Sequence, residues 1–232
     1  MFSALRNHLK QNLTKSVPTR SMGTNKAFNN TADANAFLDA VRQRRTIYGL
    51  DKNITVSEKR IIEIVEHNIK HVPSSFNVQS GRAKILFGKE HDKLWEGTRE
   101  ILRKIVPADK FGPTNAKMDG FAAGYGTVLF FEDQDNIKAQ QEQFPLYAQN
   151  FPVWSEQSNG MIEFATWTAF EAEGLGCNLQ HYSPLVDGLV QIEWQAPKSW
   201  KLIAQLVFGN PIAPPGEKTF KPIEERVQVY RS

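Results

Sequence analysis

Two clusters in this 232-residue chain bring together side chains able to grip an anion or read a flat heterocycle. The first is Arg42-Gln43-Arg44-Arg45-Thr46, where guanidinium groups and a hydroxyl follow a helix. Such a set suits a phosphate held by bidentate, charge-assisted hydrogen bonds. The same cations would equally complement the macrodipole at a helix end. The second is Pro73-Ser74-Ser75-Phe76-Asn77-Val78-Gln79-Ser80-Gly81-Arg82, a polar stretch with two amides and a cation. It could read the edge of a heterocycle, or close on itself as a turn with local side-chain hydrogen bonds. Other candidates are poorer. His67 and His71 stand one helical turn apart, but no third ligand is signposted, so a solvated helix face is the simpler account. Cys177 lies among small residues and reads as packing. There is no Walker phosphate loop, no Gly-x-Ser-x-Gly and no dinucleotide-binding glycine spacing, which argues against a Rossmann site and a serine triad.

The elements that must position these clusters follow from periodicity. Asp33 is a candidate cap for a helix carrying Phe37, Leu38 and Val41 and ending in the arginine run. Ser57 caps a second helix in which Ile61, Ile62, Val65, Ile69 and Val72 recur at three- and four-residue steps, and Pro73 stops it. A strand over Ala83 to Phe87 leads to an amphipathic helix from about Glu90 to Val106, with Leu94, Trp95, Ile101, Leu102 and Ile105 inward. Gly126 to Phe131 is a buried-type strand, and Leu202 to Phe208 is the last one. Between them, Ser158 to Gly174 is apolar around nearly its whole circumference. Such a helix is buried all round, through the middle of a domain or between two subunits. Helices around a modest sheet imply an α+β or α/β domain over residues 33–232.

Composition narrows the function. One cysteine cannot close an intramolecular disulfide or furnish a cysteine-rich zinc site. The apolar run Val128 to Phe131 is far below the ~20 residues of a membrane span, so no membrane insertion is expected. Residues 1–30 carry five cations and no acid, whereas the remainder has 23 basic and 25 acidic residues, a net −2 that does not favour nucleic acid. The basic stretch sets Leu5, Leu9 and Leu13 at near-helical spacing among Ser, Asn, Lys and Arg, the composition of a mitochondrial transit peptide over residues 1–32. A cytoplasmic tail is the alternative.

With Asn178-Leu179-Gln180-His181-Tyr182 and Gln205-Leu206-Val207-Phe208-Gly209 added, and Gly216-Glu217-Lys218-Thr219-Phe220 near the end, the two clusters resemble those of the nitroreductase family of flavoproteins. The resemblance spans about residues 34–230 and is nearest to the fungal fatty-acid-repression-type branch and its bacterial relatives. It implies a three-layer α+β fold, a central mostly antiparallel sheet flanked by helices, and a homodimer with two FMN sites built from both chains. Carried over, Arg44 and Thr46 match the phosphate-gripping Arg-x-Ser with Arg45 beside them, and Lys218 matches a C-terminal cation closing on that phosphate. Asn77 and Gln79 match amides bonding the flavin's polar edge, and Arg82 a cation near N1 and the C2 carbonyl. Leu179, Gln180 and His181 match a strand end whose main chain faces the ring.

The resemblance also implies the chemistry. NADH or NADPH reduces FMN, departs, and two electrons pass to a nitroaromatic or quinone acceptor in the same pocket, with no side chain as a dedicated acid or base. Phe144, Tyr147, Phe151 and Trp154 could line that pocket, or simply pack. Tyr48, Gly81, Phe220 and His181 depart from the residues common in the family, so the acceptor need not match that of the well-known bacterial members. A flavin-binding redox sensor with incidental nitroreductase activity is the rival from another class.

Overall fold

The computed structural model describes residues 33–231. The basic segment over residues 1–32 lies outside them. Helix α1 (Ala34–Gln43) follows Asp33, whose carboxylate accepts a hydrogen bond from the Asn35 amide. Helix α2 (Glu58–His71) is capped by the Ser57 hydroxyl, which accepts from the Arg60 amide at 3.2 Å, and it stops just before Pro73. Helix α3 (Lys89–Arg103) buries Leu94, Trp95 and Leu102. Ile105, expected inward, lies beyond the end of that helix and is 57% exposed.

Two helices have no strong periodic signal. Helix α4 (Phe111–Ala122) carries Gly112, Pro113 and Gly120, which read as punctuation, yet proline fits the first turn of a helix where its missing N–H costs nothing. Helix α7 (Asp187–Trp194) is short. Helix α5 (Gln134–Gln143) follows the sheet strand that precedes it, and α6 (Phe151–Ala172) starts seven residues ahead of the expected Ser158, with Pro152 in its first turn.

The strands are β1 (Leu50–Asp51), β2 (Gly81–Phe87), β3 (Gly126–Asp133), β4 (Gly176–Gln180) and β5 (Trp200–Pro211). Each pairing between them is antiparallel: β2 with β3, β3 with β5, and both β4 and β1 with β5. That pattern decides for α+β over α/β. Every residue of β3 is buried, and alternate side chains serve opposite faces. Leu129 and Phe131 join α3, α4 and α7, while Val128 and Phe130 join α2 and α6. The result is three layers with the sheet in the middle. Gly126 is dictated by packing, since a Cβ there would stand 2.4 Å from the Phe208 ring.

Helix α6 is not covered all round. Ile162 and Phe170 are buried against the sheet, but Met161 is 44% exposed and Val153 55% exposed. Of the two burials open to an all-apolar helix, the middle of the domain is therefore ruled out for this face. Among the described residues no helix is long and apolar enough to cross a membrane.

Candidate functional site

The arginine cluster divides its work. Arg42 pairs with Asp39 on the exposed side of α1, an ordinary surface contact. Arg44 turns away from α1 and lays its guanidinium over the Trp167 ring of α6, 4.3 Å from the ring centroid. Arg45 is tied at two points. Its backbone N–H donates to Glu171 Oε2 at 2.7 Å, and its guanidinium donates to the Gly216 carbonyl. Thr46 forms a parallel bridge with Cys177, and the Ile47 N–H donates to the Cys177 carbonyl at 2.8 Å. The segment after α1 thus docks along the edge of β4 through an isolated bridge.

These contacts gather most of one half of the expected site. Gly216 is two residues from Lys218, so Arg45 holds the C-terminal segment that carries that cation. Lys218 itself is exposed, with its ammonium 5.3 Å from the Phe220 ring centroid. Leu179 and Gln180 end β4 beside the same segment, and His181 follows them, exposed. Tyr48 and Gln180 then line a cleft of about 460 Å³ with Ala116, Lys117, Gly120, Phe121 and Tyr182. Lys117 is a site residue that the sequence reading passed over. It brings a cation to the cleft from α4, and the glycines and proline that hid that helix hid the lysine too.

The other expected residues stand elsewhere. Asn77 and Gln79 are exposed, and with Phe76 they take positive φ values of 53°, 51° and 54°. Such a conformation is uncommon outside glycine, least costly for Asn, and marks a loop whose surroundings impose its shape. The Ser74 hydroxyl accepts from the Gln79 N–H at 3.0 Å, so the turn is also closed locally. Arg82 is engaged at both terminal nitrogens: Nη1 donates to the Gln79 and Gly81 carbonyls at 2.7 and 3.0 Å, and Nη2 to Asp133 at 3.0 Å. Phe76 sits among Phe144, Tyr147, Phe151 and Trp154, ring centroids 4.8–6.1 Å away. The four aromatic residues therefore gather at the start of α6, not in the cleft.

Within one chain the two halves lie at opposite edges of the sheet. From Thr46 across β4, β5 and β3 to β2 is four strand spacings, roughly 19 Å. Cys177 is level with Phe208 on β5, whereas Arg82 is level, through Phe131, with Leu202. That adds roughly 20 Å along the strands. Trp154 and Trp167, near opposite ends of α6, repeat the same separation, about 20 Å at 1.5 Å per residue.

Electrostatics mark the structural groups. Burial drives the Cys177 thiol well up, which fits packing and not a nucleophile. Burial also raises the Glu171 carboxyl, against the lowering effect of the Arg45 N–H, the Trp167 N–H and the two arginines. His67 and His71 lie with ring centroids 4.5 Å apart, tilted at 45°, on the exposed face of α2.

The fold is a three-layer α+β domain with an arginine segment at a strand edge and an open cleft lined by Tyr48 and Gln180. Residues 41–210 match the model of the nitroreductase family, and the chain belongs to that family. HBN1 of Saccharomyces cerevisiae is 36% identical over 198 residues, which cover 84% of this chain and 96% of that protein. The nitroreductase CinD from Lactococcus lactis, solved with chloramphenicol, is 47% identical with a TM-score of 0.78, covering 84% of this chain and all of CinD. A protein from Desulfovibrio desulfuricans solved with FMN shares the fold at 18% identity and a TM-score of 0.58, covering 84% and 96% of the two chains.

Proposed function

We propose that this protein is a homodimeric, FMN-dependent NAD(P)H oxidoreductase acting on nitroaromatic or quinone-type acceptors. The observation that carries the reading is Arg44. Its guanidinium carbon lies 4.3 Å over the centre of the Trp167 ring, and no N–H of the guanidinium is spent on a hydrogen bond or ion pair among the described residues. A planar, always charged fork held that way suits a phosphate dianion. Four residues along the chain from Arg44, Tyr48 lines a cleft of about 460 Å³ with one cation, Lys117, and polar groups from Gln180 and Tyr182. These residues fit a flavin mononucleotide, phosphate at the arginine segment and ring toward the cleft.

When bound, FMN supplies the redox chemistry, accepting a hydride from the nicotinamide and passing two electrons to the acceptor. The chain binds and orients. Arg44, Thr46 and Lys218 hold the phosphate, with Arg45 anchoring the Lys218 segment through Gly216. Main-chain groups of Leu179, Gln180 and His181 would contact the flavin from the end of β4. Lys117 would offer positive charge at the cleft, complementing the negative charge that reduction places on a flavin. Asn77 and Gln79 sit farther from Arg44 than one FMN reaches, so a second copy of the chain contributes them. Arg82 supports that loop from β2. The apolar face of α6 left open by Val153 and Met161 supports a dimer of this kind. The chloramphenicol bound by CinD, a nitroaromatic compound, supports the acceptor class.

The test is the visible spectrum of the purified protein, followed without oxygen through addition of NADH and then a nitroaromatic or quinone. Flavin bands should bleach and return. Protein that stays colourless after incubation with FMN would overturn the reading, and bands that bleach without returning would favour a sensor. We also propose that residues 1–32 direct import into mitochondria, on their five cations without acid and their leucine spacing. A shortened N-terminus on protein from the mitochondrial fraction is expected. An intact one in the cytosol would refute it.

A further inference from the structure

We propose that Trp167 and Glu171 are positioning residues for the phosphate clamp, setting the guanidinium plane of Arg44 and the backbone of Arg45. The inference rests on the FMN reading above. The two residues are one turn apart on α6, so their side chains share a face. They are also bonded to each other, the Trp167 Nε1–H donating to Glu171 Oε1 at 2.6 Å. The other oxygen, Oε2, accepts the Arg45 N–H at 2.7 Å. Each oxygen of the carboxylate thus accepts a hydrogen bond from a neutral N–H donor.

That commitment matters for the anion. A carboxylate beside two arginines would ordinarily pair with one of them and cancel the charge meant for a phosphate. Here Glu171 makes no ion pair with Arg44 or Arg45 among the described residues. It fixes the chain at Arg45 and the indole at Trp167, and the indole presents its face to Arg44. A cation–π contact holds the guanidinium without using any of its N–H groups, and those donors are what a bidentate phosphate contact needs. The end of α6 adds a partial negative charge that draws the arginines to this spot.

Riboflavin has the same ring as FMN and lacks the phosphate, so the ratio of their affinities reads the clamp alone. Apoprotein should be titrated with both flavins in the wild type and in Trp167→Leu, Trp167→Phe and Glu171→Gln. In Trp167→Leu and Glu171→Gln, FMN binding should weaken by about tenfold, the scale of one charge-assisted contact. Riboflavin binding should be unchanged, which also reports that the fold is intact. Trp167→Phe keeps an aromatic face and should retain more of the FMN preference than Trp167→Leu. A full FMN preference in Trp167→Leu and Glu171→Gln, or equal losses for both flavins, would overturn the positioning role while leaving the FMN reading in place. Wild-type protein that binds neither flavin would overturn both.

Discussion

Arg82 Nη2 donates to Asp133 Oδ2 at 3.0 Å, joining β2 to the end of β3 at the sheet edge farthest from Arg44. The same guanidinium donates to the Gln79 carbonyl at 2.7 Å, so the loop bearing Asn77 and Gln79 is braced from the strand that follows it. Two half-sites on one rigid sheet cannot close on each other, so the proposed FMN site requires a second copy of the chain.

Mixed dimers test this directly. Arg44→Ala disables one half and Asn77→Ala with Gln79→Ala the other. Each variant alone should bind FMN poorly, whereas unfolding and refolding the two together should restore FMN to about one site in each mixed dimer. No recovery, measured as bound flavin absorbance per mixed dimer, would place the whole site in a single chain.

Arg44→Ala by itself should weaken FMN binding by about 1–3 kcal/mol, the range for losing hydrogen bonds to a charged group. Fluorescence titration of the apoprotein measures it. Unchanged affinity would remove Arg44 from the phosphate.

Lys117→Met should leave FMN bound but make it harder to reduce. Loss of a cation near the reduced ring is expected to lower the two-electron potential by about 30 mV or more, equivalent to roughly 1.4 kcal/mol. A reductive titration against a dye of known potential reads the shift, and an unmoved potential would place Lys117 away from the ring.

Two buried groups give stability an opposed pH dependence. Burial, and then the charge of Glu132, push Glu163 up to about 7, so its contribution is complete below its ordinary 4.5 and is lost as pH rises through 7. Burial lowers His91 to about 4, so its contribution is complete above 6.5 and is lost as pH falls through 4. Each displacement is worth roughly 3 kcal/mol. Between pH 4.5 and 6.5 they largely cancel. Glu163→Gln keeps the neutral form at every pH and should raise stability at pH 8 while leaving a fall from pH 6.5 to 4. Urea unfolding across that range measures it; a wild-type profile in the variant would exclude Glu163 as the titrating group.

Much of this was legible in the residues themselves. Ser57 and Pro73 bound α2, the apolar run from Gly126 became a fully buried strand, and Cys177 packed as its small neighbours suggested. Those outcomes depend on local backbone chemistry and on side-chain period, which a sequence carries directly. The arginine cluster was visible as well, because three guanidinium groups in four positions are a local fact.

Its division of labour was decided by tertiary structure. Nothing near Arg44 in sequence announces that Trp167 takes its face, or that Glu171 takes the Arg45 amide, 126 residues away. Lys117 went unnoticed because its helix begins with glycine and proline and lacks an apolar stripe, so packing against α3 and the sheet, not propensity, makes it a helix. The separation of Asn77 and Gln79 from Arg44 is likewise a property of strand order. Composition and periodicity determine which elements form and which face of each is apolar. Only the arrangement of strands in the sheet fixes which charged side chains meet, since those contacts join segments that the chain itself keeps far apart.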